Sequence, residues 1–325
     1  WTRRWPTTSD ASGASGVARD RVQAERDRAQ AGRDRAVVAR GRAQTERDRA
    51  QAGRGPSMTT RIISGVVIAV LAILVIAQGG WLYFGVFTVL AFAGLLEFYR
   101  LTRAYKPLKL AGLVTLALML VFAWWGTPFA VLGAAAAGVA LSAVLGMIVG
   151  PKPGVTGRVG VTVLGALYVG LGFSFLLLMR NLVLPGHALP DLGRDMVLTV
   201  VFGTWAGDTM AYFTGKWFGA TPMTPTLSPK KTWEGFAGGL IGTVLLVVLI
   251  GLYTELGPLE SVILGLTIGI VGPLGDLFES LVKRDVQIKD SGRGIPGHGG
   301  ILDRFDALLW TAVACYYLLT VGFGF

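Results

Sequence analysis

The chain has 325 residues, of which 52% are hydrophobic, and its 46 glycines raise the apolar share to about two thirds, against roughly half in soluble domains. Charged residues make up 15%, and 20 of them fall in residues 1–57, so the remaining 268 residues carry only 30. This balance excludes a soluble globular fold and a disordered chain alike, and points to a polytopic membrane protein behind a charged N-terminal extension.

The net charge of +10 divides into +6 before Met58 and +4 after it. No nucleic-acid-binding motif accompanies either part, so charge placed for membrane topology accounts for the excess, and no nucleic-acid partner is expected. The one cysteine, Cys315, lies in an apolar run, which excludes a disulfide framework and a cysteine-based metal site.

Residues 19–53 are five heptads: RDRVQAE, RDRAQAG, RDRAVVA, RGRAQTE and RDRAQAG. Their apolar positions stand two apart, whereas a coiled-coil seam needs large apolar residues at alternating spacings of three and four. The segment therefore reads as a solvated, Arg-rich tail. Met58 is followed at once by a short basic lead and an apolar span, so it is the expected biological start. Residues 1–57 are then an upstream extension, and residues 58–325 the functional domain.

Apolar stretches of about 20 residues satisfy the length of a membrane-crossing helix. Nine occur, near 62–79, 81–99, 110–126, 128–150, 159–180, 196–214, 235–254, 259–279 and 307–325. The expected fold is thus an all-α polytopic membrane protein of about nine transmembrane helices. Nine crossings place 14 basic loop residues on the side of the N-terminus, from Arg100 to Arg304. The opposite loops carry only Arg180 and Arg194, the latter flanked by Asp191 and Asp195. The positive-inside rule makes the N-terminus and the long polar loops cytoplasmic and the C-terminus external.

Acids within membrane segments are costly and usually functional. Asp208 lies inside the sixth stretch, Asp276 and Glu279 close the eighth, and Asp303 and Asp306 open the ninth. Asp276 and Glu279 share a helix face that Lys283 continues one turn later. Four carboxylates at two adjoining helix ends suit a hard cation such as Mg²⁺. Interfacial snorkelling and helix-dipole complementarity are the alternative.

In Ser228-Pro229-Lys230-Lys231-Thr232-Trp233-Glu234-Gly235, the serine suits an N-cap and the proline a first helical position. Two lysines would then stand in the first turn against the helix dipole, which makes sense around a bound anion. Ordinary topology-setting lysines are the equal alternative. Between Lys289-Asp290 and Gly300, five glycines in nine residues surround Arg293 and His298. Such a loop allows the backbone to approach phosphate closely, although linkers look similar and the P-loop pattern is absent.

Taken together, Ser280-Leu-Val-Lys283-Arg284, Lys289-Asp290, Pro296-Gly-His298-Gly-Gly300 and Asp303-Arg304-Phe-Asp306 resemble the signature of the phosphatidate cytidylyltransferases, or CDP-diacylglycerol synthases. SPKKTWEG and GDLFES are also similar to that family, and the resemblance covers residues 58–325, with the catalytic half at about 196–325. Ala307 departs from it, since the family often has serine there.

The resemblance implies transfer of the cytidylyl group of CTP to phosphatidate, giving CDP-diacylglycerol and pyrophosphate. It implies Asp276 and Asp303 as the leading metal ligands, with Glu279 and Asp306 supporting. The cofactor is then Mg²⁺, in a pair of cations whose second member can be divalent or monovalent. Lys283, Arg304 and His298 would act in catalysis. Ser228, Lys230, Lys231, Arg284, Lys289, Asp290 and Asp208 would bind substrates.

Two other readings stand beside it: a CTP-dependent lipid kinase acting on a polyprenol-type alcohol, and a membrane transporter. Gly238, Gly239 and Gly242 suit close helix packing, either within the chain or across a homodimer.

Overall fold

The structure, a computed structural model, describes residues 58–183, 191–254, 256–288 and 300–325. The heptad segment and the loop residues Lys289, Asp290 and His298 lie outside the described residues.

Among the described residues the apolar stretches form nine α-helices. These are α1 (Met58–Gln78), α2 (Gly80–Leu101), α3 (Lys109–Trp124), α4 (Pro128–Val149), α5 (Val155–Arg180), α6 (Leu192–Phe218), α7 (Trp233–Gly251), α8 (Pro258–Asp285) and α9 (Leu302–Tyr317). Six are long and apolar enough to cross a membrane: α2, α4, α5, α7, α8, and α9 with its continuation to Gly322. Gly65–Gln78 and α3 are apolar but shorter. Helix α6 has the length, but Asp208 and its neighbouring polar residues interrupt its apolar character.

Several helices extend past their apolar stretches, α8 and α9 among them into charged turns. Helix α8 continues to Asp285 with Lys283 and Arg284 in its last turn, and α9 begins at Leu302 with Asp303 in its first. Both placements oppose the sign of the local helix dipole, so polar turns that hydropathy excludes are electrostatically favourable as helix.

The architecture is all-α apart from one short hairpin, and the Ser-Pro-Lys-Lys segment that forms it corrects the expected start of the seventh helix. Ser228–Thr232 is a strand, β2, paired antiparallel with β1 (Pro222–Thr224), with Pro222 opposite Thr232 and Thr224 opposite Ser228. Proline lacks a backbone donor, and a two-stranded hairpin tolerates it because each strand has an unpaired edge. The N-cap of α7 is Thr232, in an extended conformation, whose Oγ1 accepts a hydrogen bond from the Gly235 amide at 3.1 Å. Lys230 and Lys231 therefore precede the helix and do not oppose its dipole. Glu234, in the first turn, closes the base of the hairpin: its carboxylate accepts from the Ala220 and Thr221 amides, each at 3.2 Å.

Helices α6, α7, α8 and α9 pack as successive neighbours, while α5 contacts α2, α3, α4 and α9. The α6–α7 seam is built from small residues. A Cβ on Gly238, Gly239 or Gly242 would meet Thr214, Ala211 or Met210 respectively, all on α6. These glycines thus serve packing within the chain. Between α1 and α2, Gly79 and Gly80 both have positive φ, 64° and 56°, which an L side chain rarely adopts. Arg180, at the end of α5, satisfies the exposed carbonyls of α1 by donating Nε to Ile76 O at 2.9 Å and Nη2 to Ala77 O.

Helices α8 and α9 approach closely at Gly275, where a Cβ would collide with the backbone of Asp306 and Ala307. Gly275→Ala is expected to destabilise the protein by about 1–3 kcal/mol through overpacking, lowering its thermal midpoint in detergent. Gly85→Ala, where a Cβ meets nothing within 4 Å, is the control and should leave the midpoint unchanged or slightly raised.

Candidate active site

The backbone contact at Gly275 sets the distance between the acids on either side of it. Asp276 and Glu279 stand one turn apart on α8, and Asp306 faces them from the first turns of α9. One oxygen from each of the three lies within 4.8 Å of the others. Asp208 reaches the same place from α6. With Asp303, Lys283 and Ala307 these residues line a cavity of about 350 Å³.

Five carboxylates around one cavity repel one another, and two ammonium groups offset part of that repulsion. Lys283 Nζ donates to Glu279 Oε2 at 2.8 Å and to Asp303 Oδ1 at 2.9 Å, tying α8 to α9. Lys231, from the hairpin, forms an ion pair with Asp276 Oδ2. Asp303 Oδ2 in turn accepts from the Gly300 amide at 3.1 Å, so that residue also fastens the chain entering α9. Asp306 Oδ1 accepts from the Ala307 amide at 2.7 Å.

Glu279 is 2% exposed, and its Oε1 is buried without a hydrogen-bond partner in the protein. An orphaned carboxylate oxygen beside two further acids is costly unless something positive or hydrogen-bonding occupies the space. An all-oxygen donor set of this kind fits a hard divalent cation.

A second cavity, of about 450 Å³, opens between α6, α7, α8 and the hairpin. Its walls are mainly apolar and small, among them Ala211, Phe236, Leu240 and Ile268, while Lys216, Lys230 and Lys231 lie at its polar end. Pro273 also lines it. As an interior proline of α8, it leaves the Gly269 carbonyl without the usual helical donor. Asp208 and Asp276 line both cavities, so the acidic site and the apolar cleft adjoin at these two side chains.

The residues singled out in the sequence are distributed as follows. Asp208, Asp276, Glu279, Lys283, Asp303 and Asp306 converge on the acidic cavity, and Lys230 and Lys231 on the cleft. Ser228 sits on the hairpin without lining either. Arg284 donates Nε to Leu227 O at 3.4 Å and so braces the hairpin turn. Arg304 is exposed on the first turn of α9 and lines neither cavity.

Two residues of the N-terminal helices were not singled out. Glu97, on α2, is 5% exposed and its Oε2 accepts from the Ile301 amide at 2.8 Å, across 204 residues of sequence. The hydroxyl of Tyr168, on α5, is buried without a partner, within electrostatic reach of Asp276, Glu279, Asp303 and Asp306. A lone acid in the apolar run GLLEFYR was the available sign for Glu97. The tyrosine had none. Farther out, Tyr105 donates to Asp285 Oδ2 at 2.7 Å, linking the α2–α3 connection to the end of α8. That bond and the carboxylate charge raise the Tyr105 hydroxyl above its ordinary pKa.

Residues 59–321 match the family described as the cytidylyltransferase family. The chain is 35% identical over 292 residues to a phosphatidate cytidylyltransferase of Synechocystis sp., covering 81% of this chain and 97% of that protein. It is 34% identical over 277 residues to one of Bacillus subtilis, covering 81% and 98% respectively. A third, from Aquifex aeolicus, is 44% identical over 134 residues, 41% of this chain and 51% of its own. A match spanning nearly all the helices establishes that this chain belongs to the cytidylyltransferase family.

Proposed function

We propose that the chain transfers the cytidylyl group of CTP to phosphatidate, releasing pyrophosphate and forming CDP-diacylglycerol in the membrane. The observation that carries this reading is that the acidic cavity adjoins, at Asp208 and Asp276, an apolar cleft that Lys230 and Lys231 also line. A diacyl lipid has the same division, with apolar chains and one phosphate head. The cleft between α6, α7 and α8 suits part of the chains, and the two lysines suit the head group.

The acceptor phosphate oxygen attacks the α-phosphorus of CTP, the bond to the bridging oxygen breaks, and pyrophosphate leaves. No covalent enzyme intermediate is needed, because the acceptor is already a nucleophile. The residues then have two tasks: to bring two polyanions together and to hold them in line. Asp276, Glu279 and Asp306, with Asp303 close by, would hold Mg²⁺ and a second cation. The bound cations would supply neutralisation of the triphosphate and of the charge on the leaving oxygen. Lys283 keeps Glu279 and Asp303 in place, and Lys230 and Lys231 orient the acceptor phosphate. Arg284 braces the hairpin that carries those lysines and Ser228, while Arg304, Lys289 and His298 serve the remaining phosphates and Asp290 contributes to substrate binding.

The proposed topology has all nine helices crossing, with the N-terminus and the site facing the cytoplasm, where CTP is available. The catalytic half runs from about residue 196 to 325 within the domain 58–325, and the extension 1–57 is dispensable.

CTP labelled at the α-phosphorus, given with phosphatidate to the purified protein, is expected to label the lipid product, while γ-labelled CTP should label only pyrophosphate. Lipid labelled from the γ-position would instead establish a kinase. Asp306→Asn should lower turnover by roughly a hundredfold or more with the protein still folded, and chelation of divalent cations should abolish it reversibly. Lys231→Met should raise the phosphatidate concentration needed for half-maximal rate by about tenfold, the loss of one charge-assisted contact. An unchanged requirement would leave that lysine only its pairing with Asp276.

A further inference from the structure

We infer that Glu97 is a positioning residue for the reaction, acting from the N-terminal helices on the backbone that starts α9. This rests on the cytidylyltransferase reading above for its effect on turnover, but not for its effect on the structure.

A helix start leaves several amide donors without intrahelical partners, and a buried start needs them satisfied from elsewhere. Ile301 precedes α9 and its side chain supplies no cap. Two consecutive amides at this point are received by carboxylates: Gly300 by Asp303, from within the turn, and Ile301 by Glu97, from α2. The second is the one that comes from another part of the chain. Side-chain packing at the same place brings the two segments together, since a Cβ on Gly94, one turn before Glu97, would touch Ile301 and Leu302 at 3.7–3.8 Å.

Burying a carboxylate at 5% exposure is expensive, and one hydrogen bond does not fully offset it. Nothing in the packing of α2 requires an acid there: Leu95 and Phe98 beside it are wholly apolar and buried. What the acid supplies is an acceptor for the Ile301 amide. The fixed turn then carries Asp303 to Lys283, and Lys283 to Glu279. It also carries Asp306, three residues beyond Asp303, to its place opposite Asp276. Glu97 therefore sets the position of α9's two acids relative to those of α8, without itself lining the cavity.

Two conservative variants separate this role from others. Glu97→Gln keeps the chain length and a carbonyl oxygen able to accept from Ile301, but removes the charge. Glu97→Asp keeps the charge and withdraws the acceptor by one methylene. In hydrogen–deuterium exchange of the purified protein without added metal, the amides of 300–304 should stay protected in Glu97→Gln and exchange roughly tenfold faster in Glu97→Asp. Protection across α4 should be unchanged in both. Turnover of CTP with phosphatidate should stay close to the wild-type value in Glu97→Gln. In Glu97→Asp kcat should fall by about tenfold to a hundredfold, with a higher Mg²⁺ concentration for half-maximal rate.

Full activity and protection in Glu97→Asp, or loss of both in a folded Glu97→Gln, overturns the inference. The exchange result stands whatever reaction the protein catalyses. Altered protection at 300–304 with wild-type CTP turnover would overturn the catalytic part alone. If the wild-type protein transfers no cytidylyl group to phosphatidate, the proposed function fails and this inference keeps its own test.

Discussion

Lys283 is the interaction on which the site depends. Its ammonium group is shared between Glu279 of its own helix and Asp303 of the next, each below 3 Å. Without it, the crowded acids of α8 and α9 would face one another with, among the described residues lining or paired at the cavity, Lys231 left to offset them, and like charges at such separations destabilise the ionised form. The backbone contact at Gly275 brings the two helices together, and Lys283 makes that closeness electrostatically tolerable. Steric and ionic terms thus act at neighbouring points on one seam. The same seam is the place where the cation ligands meet, so the stability of the helix pair and the assembly of the site cannot be tuned separately.

The two halves of the chain have different duties in this arrangement. Helices α6 to α9 and the hairpin carry the groups that line the two cavities. Helices α2 to α5 contribute large buried side chains such as Phe98, Tyr99 and Phe173, and they reach the site through few polar contacts. Glu97 is one of these, and the Tyr105–Asp285 bond is another, at the opposite edge. A membrane interior offers no hydrophobic drive between helices, so packing of small residues and a small number of polar contacts must specify the assembly. The glycines of the α6–α7 seam and these long-range hydrogen bonds are the two means visible in this fold.

Much of this was legible in the sequence, and for identifiable reasons. The helices announced themselves because a bilayer requires long apolar runs, and the charged ends of α8 and α9, beyond the reach of hydropathy, were legible from carboxylates and a lysine at helical spacing. Asp276, Glu279, Asp303 and Asp306 were found because acids in such a chain are rare. The hairpin was misread because Ser-Pro suits a helix start as well as an edge strand, and only the pairing with Pro222–Thr224 decides between them. Glu97 was passed over because its partner is 204 residues away, a relation that no local pattern encodes. Whether Gly238, Gly239 and Gly242 packed within one chain was likewise a question of which helix lay opposite.

The ion pair between Lys231 and Asp276 has one more consequence. A lysine satisfied by an aspartate must give up that contact, at least in part, to receive a phosphate, and the aspartate it leaves becomes a stronger ligand for a cation. Anion and cation binding are then coupled through exchange of a shared partner, and thermodynamic linkage makes the coupling reciprocal. A site built this way is partly neutralised by its own side chains. Its two kinds of ligand assist each other's arrival, which favours filling the site as a set over filling it piece by piece.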